Sequence, residues 1–193
     1  MDFKGIHDRF RPRVLRYLTR LVGEHEAEDL TQAVMTKIAE RLRDFRGDSS
    51  VSTWIYRIAT NAAFDKLRTK RNDVVTEAAL ESDAEDAPLS EVAPSVENTA
   101  IREEMNACIR EFIERLPENH KAVIVLSDLE GFKNGEIASI LGVTLDTVKI
   151  RLHRARKGLR EALDEGCNFY RNESEELACD RKPDAAVVVH RRR

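Results

Sequence analysis

The run Lys149-Ile150-Arg151-Leu152-His153-Arg154-Ala155-Arg156-Lys157 concentrates cationic chemistry in one short stretch. Between Asp146 and Arg160, six Lys or Arg stand against a single Asp. Groups of that kind neutralise phosphates, and an Arg fork can also read the edge of a guanine. Apolar Val148, Leu152, Ala155 and Leu159 recur at three- and four-residue spacing, which predicts one buried helical stripe. Lys149, Ile150, His153 and Arg154 then share another face. Just upstream, Ile137, Ala138 and Leu141 give a shorter helix its core face, Gly142 ends it, and Thr144 offers an N-cap oxygen. Two helices around such a turn form a helix-turn-helix, whose second helix enters the major groove. The plainer alternative is a solvated basic helix closing a bundle, and the turn argues against it.

A second constellation precedes it. Phe45-Arg46-Gly47-Asp48-Ser49-Ser50-Val51-Ser52 sets an aromatic and an arginine beside a polar loop. Thr53-Trp54-Ile55-Tyr56-Arg57-Ile58-Ala59 opens a helix that ends on Lys66, Arg68, Lys70 and Arg71. Cations tracking a backbone beside a pocket for an unstacked base suit single-stranded DNA. Trp54 and Tyr56 have a competing role as core of a small bundle, which is the preferred reading for Trp54.

A third set lies in the tail. Cys167 and Cys179, with His153 or His190, are candidates for a thiolate metal site or a redox pair. Their eleven-residue gap matches no common zinc spacing. The preferred reading is a partly helical extension that packs Phe169, Tyr170 and Leu177 on the preceding helices, with inert thiols. Cys108 sits on an apolar helical stripe and is read as core.

The elements that position these residues follow from composition and periodicity. Of 193 residues, 35% are charged and 6% aromatic, with eight Gly and five Pro, which favours an all-α protein. No apolar run approaches the roughly 20 residues of a membrane span, and Met1-Asp2-Phe3-Lys4-Gly5 lacks a signal peptide's apolar stretch. The expected location is the cytoplasm, where three Cys argue against a disulfide framework. The net charge of −3 hides a segregation: residues 1–72 carry +5, residues 73–101 carry −8, residues 102–163 carry +1 and the remainder −1. The acidic stretch has no sustained periodicity and cannot bury enough apolar surface to order itself, so it reads as a linker. It divides the chain into an N-terminal domain (1–72), a linker (73–98), a C-terminal domain (99–163) and an extension (164–193).

Three helices are expected before the linker. Phe3, Ile6, Phe10, Val14, Tyr17 and Leu21 mark the first, and Leu30, Val34, Ile38, Leu42 and Phe45 the second. The third runs from about Thr53 to Lys70, with Ile55, Ile58, Ala59, Ala62 and Leu67 inward and Ser50 or Ser52 as its cap. Four helices are expected after the linker. The first is marked by Ile101, Met105, Cys108, Ile109, Phe112 and Leu116; the second starts at Pro117 and runs through Asp128.

In this order the motifs resemble a known family. Glu28-Asp29-Leu30-Thr31-Gln32, Phe45 to Ser49 and Thr53 to Asn61 resemble region 2 of bacterial extracytoplasmic-function (group 4) sigma factors. Leu116-Pro117-Glu118, Glu136-Ile137-Ala138, Leu141-Gly142-Val143 and Thr147 through Arg156 resemble their region 4. The resemblance covers about residues 5–163. It implies a sigma factor, without enzymatic activity or cofactor, that directs core RNA polymerase to promoters and assists melting. It implies that Asp29 and Gln32 contact the β′ clamp helices. Gly47, Asp48, Ser49, Ser50 and Val51 would receive a flipped −10 base, with Asn61 on the helix beneath. Lys149, Ile150, Arg151, His153, Arg154 and Lys157 would meet the −35 element, with region 4 on the β flap. A separate anti-sigma factor is left open as a further partner. Two departures stand out: Ala33 replaces the family's acid after Gln32, and Ile150 replaces a small polar residue.

Two other classes compete. A stand-alone helix-turn-helix regulator would not need the −10 loop or the Asp29/Gln32 helix. An enzyme would need a phosphate loop, a nucleophile-base pair or an acidic dyad, and none stands out.

Overall fold

A computed structural model describes residues 2–74, 109–171, 175 and 177–182. The elements are α1 (Phe3–Val22), α2 (Glu24–Arg41), α3 (Val51–Val74), α4 (Glu118–Ile124), α5 (Asn134–Leu141), α6 (Leu145–Gly166), and strands β1 (Cys167–Arg171) and β2 (Leu177–Arg181). A 3-10 turn, Leu42–Asp44, follows α2, and a π turn, Val125–Leu129, follows α4. Residues 109–114 are also helical. The chain forms two compact units. The first takes the described parts of Met1–Ala84 with Glu118–Leu152, and the second those of Glu85–Pro117 with His153–Arg193.

In the first unit, α1 and α2 pack antiparallel around Gly23, whose φ of 86° and N–H bond to the Thr19 carbonyl turn the chain in one residue. Ile6, Phe10, Val14, Tyr17, Leu18 and Leu21 face Ala27, Val34, Met35 and Ile38 of α2, and Ile55, Tyr56, Ile58, Ala59 and Ala63 of α3 close the core. Its buried polar groups are satisfied inside it. The Tyr17 hydroxyl bonds the Thr60 hydroxyl at 2.7 Å, and the Thr60 and Thr31 hydroxyls donate to the Tyr56 and Ala27 carbonyls. Burial drives the Tyr17 phenol well above its ordinary value, so it stays protonated.

Boundaries shift from expectation where local bonding overrides periodicity. The second helix stops at Arg41 instead of running to Phe45, because Leu42–Asp44 tighten into the 3-10 turn; Leu42 and Phe45 remain half-buried. The third starts at Val51, two residues before Thr53. The Ser50 hydroxyl accepts the Thr53 N–H at 3.1 Å and its carbonyl accepts the Trp54 N–H, so Ser50 is the cap and Ser52 is not. The helix begun at Pro117 starts instead at Glu118, and its α geometry ends at Ile124.

The tail corrects the expected helical extension. β1 and β2 form an antiparallel hairpin in the register Cys167↔Arg181, Asn168↔Asp180, Phe169↔Cys179, Tyr170↔Ala178 and Arg171↔Leu177. Phe169 and Tyr170 are exposed rather than packed away. Cys-Asn-Phe-Tyr is a poor helix former and a good strand former, and β2 supplies the partner that such a short strand needs. β1 follows α6 with no intervening residue. Gly166 makes that junction possible: a Cβ there would lie 2.5 Å from the Phe112 ring. The returning strand also closes the helix end. The Lys182 N–H bonds the Gly166 carbonyl at 3.0 Å, Lys182 Nζ bonds the Asp164 carbonyl at 2.8 Å, and Arg181 reaches Glu111 at 2.6 Å.

Candidate nucleic-acid interface

The helix-turn-helix is built by three local devices. At the start of α5, the Glu136 carboxylate accepts the Lys133 N–H at 3.0 Å, half of a capping box that the sequence reading did not identify. At its end, Gly142 takes the left-handed conformation (φ 65°, ψ 34°), and the Val143 N–H turns back to the Ala138 carbonyl. At the start of α6, the Thr144 hydroxyl accepts the Thr147 N–H at 3.2 Å. These caps fix the turn, and packing fixes the rotation of α6. Val148, Leu152 and Ala155 are buried, while Leu159 is half-buried.

That rotation turns Lys149, Ile150, His153, Arg154 and Lys157 outward, all of them exposed, with Arg151 half-buried at the margin. Ile150 is 52% exposed, an unusual setting for a large aliphatic side chain. The cations are only loosely engaged: Lys149 lies 3.4 Å from Asp146 and Lys157 3.6 Å from Glu161, both exposed pairs that a phosphate can displace. Arg154 and Lys157 lie three residues apart on successive turns, where one can face a base edge while the other faces a phosphate.

The second group lies on the α2–α3 connection. Gly47 has a φ of 80°, which favours glycine, and Gly47, Asp48 and Ser50 are exposed while Ser49 and Val51 are half-buried. Phe45 stacks on Trp54 with ring centroids 5.2 Å apart. Trp54 is half-buried at the loop margin, outside the buried core to which it was assigned; Tyr56, two residues on, is the core residue. Asn61 is exposed on α3. At about 1.5 Å per residue it sits roughly 15 Å along the helix from Val51.

Asp29 and Gln32 are both exposed on α2, one turn apart, while Thr31 between them faces the core. Ala33 is exposed beside them. Neighbouring carboxylates are already engaged by arginine and lysine: Glu28 bonds Arg11, and Glu26 bonds Lys66 at 2.6 Å. The Lys66 ammonium holds the Glu26 carboxyl below its ordinary range.

The tail thiols stand differently. Cys167 is buried and Cys179 half-buried, on one face of the hairpin but in diagonal positions. Diagonal neighbours stand about 7–8 Å apart, beyond the reach of an unstrained disulfide. No group of three or more His, Cys, Asp or Glu among the described residues is arranged to hold a metal. Cys108 and His190 lie outside the described residues.

One cluster was not anticipated: Arg20, Tyr56, Glu130 and Phe132. The available signal was an acid, Glu130, four residues beyond the apolar run Ala122 to Leu126 and directly before a Gly-Phe pair.

Comparison with known proteins adds to this geometry. Residues 6–72 match the family model for sigma-70 region 2, and residues 106–159 that for sigma-70 region 4. The chain is 33% identical to the ECF RNA polymerase sigma factor SigW of Bacillus subtilis over 165 residues, covering 83% of this chain and 88% of the relative. This chain is a sigma factor of the extracytoplasmic-function group. The RNA polymerase sigma-H factor of Pseudomonas aeruginosa is also 33% identical, with 80% and 82% of the two chains covered. Among solved structures, the sigma factor RpoE of Bartonella quintana, in complex with the anti-sigma factor NepR, has the same fold. Its TM-score is 0.69 at 23% identity, over 84% of this chain and 97% of that one. CnrH, in complex with the cytosolic domain of CnrY, gives 0.58 at 21% identity, over 84% and 87%. As a sigma factor it directs RNA polymerase to promoters at transcription initiation. The match to region 2 tells against the stand-alone regulator. None of the described helices is long and apolar enough to cross a membrane.

Proposed function

We propose that the exposed face of α6 reads the −35 element of this sigma factor's promoters, with Arg154 on a base edge and Lys149, Arg151 and Lys157 on phosphates. The carrying observation is the division of α6 itself. Val148, Leu152 and Ala155 lock one side into the core, so the cationic side is presented in a fixed rotation. His153 lines the same face, and Ile150 offers an apolar contact suited to a thymine methyl. The Gly47–Val51 loop and Asn61 take an unstacked −10 base, and Asp29 and Gln32 dock on the β′ clamp helices while region 4 rests on the β flap. The working division is 1–72, 73–98, 99–163 and 164–193. The protein performs no chemistry of its own, needs no cofactor, and acts in the cytoplasm where polymerase and promoter are. One structural neighbour, RpoE of Bartonella quintana, is held by the anti-sigma factor NepR, which supports an anti-sigma partner here.

The test is transcription in vitro with core polymerase on genomic fragments, followed by mapping of the start sites. Initiation at sites sharing −35 and −10 sequences, dependent on this chain, is the expected result. Polymerase capture without any promoter preference would overturn the assignment of α6 to base reading.

A further inference from the structure

Helix α1 carries Lys4, Arg9, Arg11, Arg13, Arg16 and Arg20 against one acid, Asp8. Four of these cations are regularly placed: Arg9, Arg13, Arg16 and Arg20 follow one another at four, three and four residues. At about 100° per residue they fall within about 60° of arc, a narrow stripe along the buried face of Ile6, Phe10 and Tyr17. Two arginines of the helix are already engaged. Arg20 lies 3.2 Å from Glu130, and Arg11, on the opposite flank, bonds Glu28 of α2. Among the described residues no carboxylate pairs with Arg9, Arg13 or Arg16. Arg9 and Arg13 instead lie over the Phe10 ring, 5.5 and 6.0 Å from its centroid. Phe10 is buried, so its ring fixes where the two guanidinium groups sit. An aromatic ring engages a guanidinium through its face and leaves the in-plane N–H fork open to an oxyanion. Arg9 and Arg16 are exposed and Arg13 is half-buried between them.

The flank of α1 beyond the stripe adds neither bulk nor negative charge, since the exposed residues next to it are Gly5 and Pro12. On its other side the stripe borders α3. Tyr17 bonds Thr60 there and packs on Tyr56 with ring centroids 5.0 Å apart. Burial and Glu130 push the Tyr56 phenol up, and Arg13 is near enough to oppose them. Arg57, directly after Tyr56, is exposed on α3, as is Asn61. We propose that Arg9, Arg13 and Arg16 form a phosphate clamp for duplex DNA, which grips the backbone beside the −10 element whatever its sequence. Its place on the promoter rests on the proposed −10 reading; its chemistry rests on α1 alone. About 10.5 Å of helix rise separates Arg9 from Arg16, and a DNA strand presents a phosphate about every 3.4 Å of axis, so the three cations cover about three phosphates. The stripe exposes no ring on which an unstacked base could lie, because Phe10 is buried. It exposes no aliphatic side chain either, on which an interface with a folded protein would centre. A duplex backbone needs neither, only fixed cations and close approach.

Holoenzyme assembled from core polymerase and the full chain, titrated with a promoter duplex over a range of salt concentrations, tests the clamp. Arg9→Gln, Arg13→Gln and Arg16→Gln together should reduce the slope of log affinity against log salt by about 0.9 per lost phosphate, close to 3 in all. The reduction should be the same on a duplex whose −10 sequence is scrambled. Affinity for core polymerase should equal the parent's. Arg9→Lys, Arg13→Lys and Arg16→Lys together should keep most of the slope, since the charges remain while the contact with Phe10 weakens. That pair of variants separates phosphate binding from packing, with circular dichroism melting as the measure of fold. An unchanged slope in the glutamine variant overturns the clamp, as does a reduction confined to the intact −10 sequence. Loss of core binding with an unchanged DNA slope also overturns it and assigns the stripe to an acidic surface of polymerase. If the parent binds intact and scrambled duplexes alike while the glutamine slope falls on both, the clamp stands and the −10 reading fails instead.

Discussion

Residues that read DNA and residues that hold the reader make different demands on substitution. Arg154→Ala should weaken −35 binding by about 1–3 kcal/mol if the guanidinium takes a guanine edge bidentately, with the loss confined to operators bearing that base. Lys157→Ala should cost less, act alike on all sequences and reduce the salt dependence of binding. Titrations on matched and mismatched duplexes at two salt concentrations separate the two, and equal effects would reassign Arg154 to the backbone. The structure also changes how the −10 loop should be tested. Ser50 caps α3, so replacing it conflates folding with melting: Ser50→Ala should cost about 1 kcal/mol in urea denaturation. Asp48 and Ser49 can be exchanged without that penalty, and permanganate footprinting should then show polymerase binding without an open bubble. At this scale the sequence was legible where a residue's role is local. Gly142, Thr144 and the stripe of α6 follow from spacing alone. The Glu130–Tyr56–Arg20 cluster does not, because its members are separated by up to 110 positions and meet only after two elements have packed.

Elements were legible to the extent that their own residues decide them. The three helices of region 2 follow from apolar periodicity, and their ends moved by two to four residues because Ser50 and the Leu42–Asp44 turn set them. The tail was misread for a different reason. Phe169, Tyr170 and Leu177 read as an apolar face, whereas pairing between β1 and β2 decides that segment, and pairing partners are not visible in either strand alone. A stability test follows from the junction. Gly166→Ala drives a methyl group into Phe112 and should destabilise the second unit by about 1–3 kcal/mol, read as earlier loss of helicity on heating. In region 2, Lys66 keeps the Glu26 carboxyl below its ordinary value of 4.5. A depressed carboxyl contributes stability above that value and loses it as pH falls through the folded value. Lys66→Met should therefore lower stability slightly at pH 7, since the pair is partly exposed, and leave it unchanged at a pH below the folded Glu26 value, which flattens the acid limb of the stability curve. A parallel downward shift at every pH would mean that the lysine stem, not its charge, does the stabilising.

The whole molecule carries its charges in blocks that match the proposed division of labour: net +5 in residues 1–72, six Lys or Arg between Asp146 and Arg160, and eight acids with no base in residues 73–101. A net charge of −3 gives no hint of this, and only the distribution does. Reversing four of those acids to lysine should raise non-specific DNA affinity and steepen its salt dependence without altering the fold. Competition with bulk DNA in the transcription assay would register the change as lost promoter preference. Fold family, order of regions and the helix-turn-helix were all accessible from sequence motifs. The packing of α5 on α3 was not, since nothing in a linear pattern says that the two will meet.

The hairpin that follows α6 has a consequence in time. Helices fray from ends whose last carbonyls lack partners. Here the Lys182 amide and ammonium hold the Gly166 and Asp164 carbonyls, with a cation at the negative end of the helix dipole. Amide hydrogens in the final turns of α6 should therefore exchange slowly in the full chain. A chain ending at Arg171 should exchange them faster by one or more orders of magnitude, while amides near Val148, anchored by packing, keep their rate. The hairpin beyond α6 would then set how long that helix lasts between openings.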